Sequence, residues 1–243
     1  MQKPTEHGLA ILQSMSERMQ LLKFASLPRP KSDAKSPPSP DLINWAIELY
    51  TFSLLSHFRE LLRSFLFLVE NGHVAASITI CRTMFEMAAH VYYVNKHVKQ
   101  YLESNELEQT WNFLLEIQQG SRYMQEYSGE LDYEISPHIS KIISCYNEFL
   151  QNGYSSKRYS FLSEYSHPGP FAFGQHYEGD YAFNCILFVP PPQDASKAPL
   201  AAAISSTCTV FLFINSLLFL AEEKEVSQQL IGFSEDLVKS YRG

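Results

Sequence analysis

Arg82, Glu86 and His90 fall at every fourth residue of CRTMFEMAAHVYY, residues 81–93, inside a run that is otherwise mostly apolar. A cation, an anion and an imidazole on one helix face can do two kinds of work. Turned inward, the guanidinium and carboxylate must pair, because an unpartnered buried charge is costly, and the imidazole titrates against them. Turned outward, they form a charge ladder worth about 0.2–0.5 kcal/mol per pair. At about 100° per residue, Thr79, Arg82, Glu86, His90, Tyr93 and His97 share an arc of about 80°. Ile80, Met84, Met87, Val91, Val94 and Val98 lie roughly opposite, and Ile78, Phe85, Ala89 and Tyr92 fill one flank. The helix is therefore apolar over most of its circumference, as at the centre of a bundle. The stripe also lacks lysine over its first five turns. Both features favour the inward reading, with Arg82 and Glu86 paired and mostly buried. His57, Glu60 and Arg63 share a face of the preceding helix, with Arg59 nearby, and read as surface charge.

A second stretch with chemical content is YSFLSEYSHPG, residues 159–169. Ser156, Ser160, Ser163 and His167 line one side of a short helix, and the helix C-terminus favours the imidazolium form of His167. The Ser163–His167 spacing permits a hydrogen bond. A serine hydrolase would also need a Gly-x-Ser-x-Gly elbow and an oxyanion loop, and neither is present. The stretch reads either as a helix end held by its histidine or as half of a pocket shared with the Arg82 stripe. The candidate polar site is thus Arg82, Glu86, His90, Ser163 and His167. No metal or cofactor is expected. Glu86-x-x-x-His90 has the wrong spacing for a di-iron helix and no second copy, His167, His176 and Cys185 are not at zinc-site spacing, and no phosphate loop or dinucleotide fingerprint occurs.

The two stretches carry a resemblance. The chain resembles bacterial all-helical domain families of unknown function in which the patterns LxRxxFE and YxxLSxxxHP recur. Here they read Ile80, Arg82, Phe85 and Glu86, then Tyr159, Leu162, Ser163, His167 and Pro168. The likeness would cover roughly residues 40–222 and implies a fold more than an activity. A weaker similarity is to HEPN domains, helical bundles that are often dimeric and often metal-independent ribonucleases. It implies an arginine on phosphate, Arg82 or Arg158, with His167 as general acid and base. The HEPN pattern has four to six residues between Arg and His; Arg82 to His90 leaves seven and Arg158 to His167 leaves eight.

The elements that must hold these residues are helices. Of 243 residues, 45% are apolar and 19% charged, a globular balance. Only 10 are glycine, which favours long helices over a many-turned β protein. The fold expected is all-α: an up-and-down bundle of long antiparallel helices, with an irregular or hairpin strap near 168–199. Residues 1–26 read as an N-terminal helical arm and 27–40, LPRPKSDAKSPPSP, as a Pro-rich linker detaching it. The bundle itself occupies 41–243. Ser39-Pro40-Asp41 starts a helix over 41–71 that stops at Asn71-Gly72. Further helices are expected at 73–102, 104–126, 137–151, 155–166, 199–222 and 224–241. FAFGQHY and YAFNCILFV could pair as a hairpin turning around Glu178-Gly179-Asp180.

The net charge of −7, with no Lys/Arg block longer than two, disfavours a broad nucleic-acid surface, although a small phosphate pocket stays open. Cys81, Cys145, Cys185 and Cys208 form no CxxC and read as free thiols in a reducing cytoplasm. No secretion signal is evident at the N-terminus. Residues 200–221 run 22 residues without a charge, long enough to span a bilayer, but their serines, threonines and asparagine favour a core helix of a soluble protein. Three functions are weighed. The first is a cytoplasmic binding or regulatory module, able to act as a homodimer, with a polar Arg/Glu/Ser/His pocket for a small molecule or protein ligand. The second is a HEPN-like ribonuclease or toxin-type enzyme. The third is a membrane-attached protein anchored by 200–221. The acidic, scattered charge favours the first.

Overall fold

The computed structural model describes residues 4–21, 30, 37–119, 137–150, 154–166, 177–178, 187–188 and 197–221. Seven helices occur among them: α1 (Pro4–Leu21), α2 (Pro40–Glu70), α3 (Val74–Glu103), α4 (Leu107–Gln119), α5 (Ile139–Leu150), α6 (Tyr154–Ser166) and α7 (Lys197–Leu220). The fold is all-α.

Local chemistry sets the helix ends. The Ser39 side chain accepts from the Leu42 amide at 3.3 Å, and Pro40 occupies the first turn of α2. At the other end Gly72 takes φ +75°, a conformation that costs a glycine nothing. Its amide bonds the Val69 carbonyl, and the His73 amide bonds that of Leu68, so two orphan carbonyls are satisfied. The same pattern ends α3. Asn105 takes φ 56°, its amide reaches Leu102, and the Glu106 amide reaches Tyr101. These two stops fold α2, α3 and α4 back on one another.

α3 is the hub, in contact with α2, α4, α5, α6 and α7, most extensively with α7. Its Cys81, Met84, Ala88, Ala89, Val91, Val94 and Val98 are fully enclosed. The Cys81 thiol donates to the Pro199 carbonyl at 3.2 Å, and the Tyr92 and Phe213 rings lie 5.0 Å apart. Hence α7 runs beside α3 in the same direction. This departs from strict antiparallel alternation, and the residues between α6 and α7 give the chain length enough to return to the same end of the bundle.

α7 is the one helix among the described residues long and apolar enough to cross a membrane, and more than half of its most apolar window lies inside the fold. Val210, Ile214, Leu217 and Leu218 have no exposure. Two of its threonines bond internally: Thr207 donates to the Ala203 carbonyl at 2.8 Å, Thr209 donates to that of Ser205 at 3.0 Å, and the Tyr146 hydroxyl meets Thr209 Oγ1 at 2.9 Å.

The reading of α1 as a detached arm is corrected by its packing. Leu12, Met15 and Met19 belong to the common core, and α1 touches both α2 and α7. A Cβ added at Gly8 would stand 2.9 Å from Leu200 Cδ2, so the bare glycine permits this close approach. The Pro-rich segment lies mostly outside the described residues, as do the helix expected at 224–241 and most of the strap. Of the strap, β1 (Tyr177–Glu178) and β2 (Leu187–Phe188) pair antiparallel, with Tyr177 opposite Phe188 and Glu178 opposite Leu187. Glu178 therefore belongs to the ladder.

Candidate functional site

Arg82 and Glu86 stand one turn apart on α3, on the side that α6 approaches. Arg82 Nε donates to Glu86 Oε1 at 3.0 Å, and Nη2 donates to the Tyr159 hydroxyl at 3.1 Å. The guanidinium carbon lies 5.3 Å from the Tyr159 ring centroid, within cation–π range. Phe85 stacks on the other side of the contact, its ring 6.5 Å from that of Tyr159 at 26°. The first sequence pattern thus meets the second through Tyr159.

The side chains of Arg82 and Glu86 are 22% and 27% exposed, so most of each is covered while the pair still reaches solvent. The stripe changes neighbour as it climbs α3. At Arg82 it meets Tyr159 of α6, at His90 it meets Tyr50 of α2, and at Tyr93 and His97 it meets Phe113 of α4. α4 covers the upper turns and α6 the lower, so Arg82 and Glu86 lie on a seam. Burial alone would lower the Arg82 pKa, but the Tyr159 hydrogen bond and the Glu86 charge outweigh it and raise it. The guanidinium stays cationic.

His90 does not titrate against that pair. Its Nδ1 lies 2.9 Å from the Tyr50 hydroxyl, and no ion pair joins it to Glu86 among the described residues. Burial pushes its pKa down to about 4, so the ring is neutral at pH 7. Burial likewise raises Tyr50 well above the usual phenol value. A neutral, enclosed imidazole bonded to a neutral phenol is a core contact between α2 and α3.

Ser163 lies one turn beyond Tyr159 on α6. Its Oγ is buried and has no hydrogen-bond partner among the described residues, whereas Ser160 is exposed. An orphaned buried hydroxyl costs about 1–3 kcal/mol and calls for an explanation. His167 lies outside the described residues. The structure therefore unites Arg82 with Glu86, turns His90 to a different partner, and sets Ser163 near the clamp on the same helix as Tyr159.

Sequence reasoning missed Tyr159 and Tyr50. Tyr159 had a signal: it opens the second pattern, four residues before Ser163. Tyr50 had none, since nothing local separates it from other aromatics on the buried face of α2. Elsewhere on α3, Lys96 pairs with Glu148 of α5 at 2.8 Å, with Cys145 Sγ at 3.6 Å. Cys81, Cys145 and Cys208 are free thiols, and only Cys81 is buried.

Comparison with known proteins adds one finding. Residues 48–160 match a family of unknown function, DUF5677. The expected likeness to a domain family without an assigned activity holds over this segment, shorter than the 40–222 anticipated. The segment contains both sides of the clamp, ending one residue after Tyr159. No curated protein and no solved structure matches the chain.

Proposed function

We propose that the protein is a soluble, cytoplasmic binding or regulatory module whose polar site is the Arg82–Glu86–Tyr159 clamp. The ligand group received there is anionic, a carboxylate or phosphate oxygen. The observation that carries this reading is a cationic guanidinium aimed from two sides and still 22% exposed. An arginine held this way has lost its side-chain entropy before a ligand arrives, and its planar fork suits carboxylate and phosphate oxygens. The orphaned Ser163 Oγ, one turn from Tyr159, is a further hydrogen-bonding group that a ligand or water could satisfy. Glu86 balances the arginine charge, so the site selects one small anionic group and does not attract a polyanion. The net charge of −7 points the same way.

The test is a titration with inorganic phosphate and, separately, acetate, read at the arginine Nε–H resonances of the full chain. The expected result is a saturable shift of one resonance, absent in Arg82→Gln and weakened in Tyr159→Phe. A linear response, or one unchanged by Arg82→Gln, would sink the reading. The ribonuclease alternative turns on His167, which lies outside the described residues, and the acidic, scattered charge of the chain favours the binding module over it.

A further inference from the structure

Ala201, Ser205, Cys208, Leu212, Ser216 and Phe219 are left outside the core on α7. They recur at spacings of three and four and make one stripe roughly 27 Å long at the helical rise. No charged residue follows Lys197 on this helix. Leu212 is 55% exposed and Phe219 75%. On the α5 flank Phe149 is 39% exposed, its ring 5.2 Å from that of Phe213. Helix faces left to water carry charge, and contiguous apolar patches mark interaction surfaces.

We propose that this stripe is a homodimer interface, closed by a second copy of the chain whose α7 runs antiparallel about a two-fold axis near residue 210. The stripe is graded by size, with small residues towards its start and large ones towards its end. Antiparallel pairing therefore sets Phe219 over the partner's Ala201, Leu212 over the partner's Cys208 and Ser216 over the partner's Ser205. Under a two-fold axis each such contact is made twice. Parallel pairing would set Phe219 against its own copy and Ala201 against its own copy, leaving a clash at one end and a gap at the other.

Charge favours the same occupant. Two chains of net charge −7 repel unless they meet on neutral ground, and this stripe is neutral over about five turns. The exposed parts of these side chains come to roughly 500 Å² per copy, given the area that aromatic and aliphatic groups carry. The pair would bury about 1,000 Å², the lower limit for a specific interface. The dimer is accordingly weak, forming in the micromolar range.

The experiment is sedimentation velocity of the full chain over about two decades of micromolar concentration. The expected result is a reversible monomer–dimer transition that Phe219→Asp moves to at least tenfold higher concentration, with the far-ultraviolet circular dichroism unchanged. Register is tested by Leu212→Cys, which sets a new thiol opposite the partner's Cys208. Mild oxidation should give a covalent dimer that neither the native chain nor Leu212→Ser yields. A chain monomeric at every concentration, or a dimer indifferent to Phe219→Asp, overturns the proposal. Ready cross-linking of the native chain through Cys208 overturns the antiparallel register. A monomer that co-sediments with phosphatidylcholine vesicles assigns the stripe to lipid and also overturns it.

Discussion

Arg82 Nη2 and the Tyr159 hydroxyl, 77 residues apart in the chain, meet at 3.1 Å and tie the short helix α6 to the central helix α3. Glu86 fixes the other edge of the same guanidinium, and Phe85 stacks on the phenol ring. One arginine thus joins an intrahelical ion pair to an interhelical contact.

Substitutions at the clamp should have intermediate cost. Breaking a fully buried pair costs about 3–5 kcal/mol and an exposed ladder under about 1 kcal/mol. Arg82→Met and Glu86→Gln, each mostly covered but reaching solvent, should lose about 1–2 kcal/mol in urea unfolding. Tyr159→Phe keeps the ring on Phe85 and should lose about 1 kcal/mol, its effect largely absorbed in the double variant with Arg82→Met. Unchanged midpoints in all three would make the stripe a solvated face.

Stability should depend on pH through His90. Its folded pKa of about 4 lies below the unfolded value, so the unfolded chain binds more protons between about 6.5 and 4. Stability contributed by the neutral ring is full above about pH 6.5 and falls as pH drops towards 4. Between pH 7 and 4.5 the loss from this group is about 2.5 kcal/mol. The measurement is urea unfolding at both pH values. His90→Gln should flatten the difference, and an imidazole titration near 6.5 would refute it.

Tyr50→Phe should expose what the hydroxyl does. It leaves Nδ1 of His90 enclosed without its partner, at a cost of about 1–3 kcal/mol at pH 7. Replacing both residues, Tyr50→Phe with His90→Phe, should recover part of that loss, because two apolar rings leave no orphaned polar atom. A double variant that unfolds as the sum of the singles would contradict this account.

The role of α7 can be separated from that of its outer stripe. Ile214 has no exposure, so Ile214→Ala should cost about 2–5 kcal/mol, while Leu212→Ala, measured at high dilution, should cost under about 0.5 kcal/mol. The protein should also remain in the supernatant after high-speed centrifugation without detergent. Equal, negligible effects with recovery only in the membrane fraction would place the helix in lipid.

Features legible in the sequence were those set by local chemistry. Ser39-Pro40 and Asn71-Gly72 announce a start and a stop because a cap and a left-handed turn each need particular residues. The Arg82–Glu86 pair follows from i,i+4 geometry. What stayed hidden depends on residues far along the chain. Nothing near His90 names Tyr50, 40 residues away, and an arginine on a stripe does not say whether a tyrosine or a histidine will reach it. The Pro-rich composition of 27–40 speaks to the linker, not to where α1 docks. The signal for that docking was Gly8, the bare position where Leu200 comes close, and a lone glycine has too many other uses to be read that way.

The seat of α1 also orders the birth of the molecule. Its partners are α2, made next, and α7, made last of the described helices. With translation at about 5–20 residues per second, roughly 10–35 s separate the emergence of α1 from that of α7. Through that interval α1, with Leu12, Met15 and Met19 on its core face, lacks one of its two helical partners. The earliest-made of the described helices is completed by the latest-made, so a nascent chain stalled before residue 197 should present this face to chaperones, and one released beyond 221 should not.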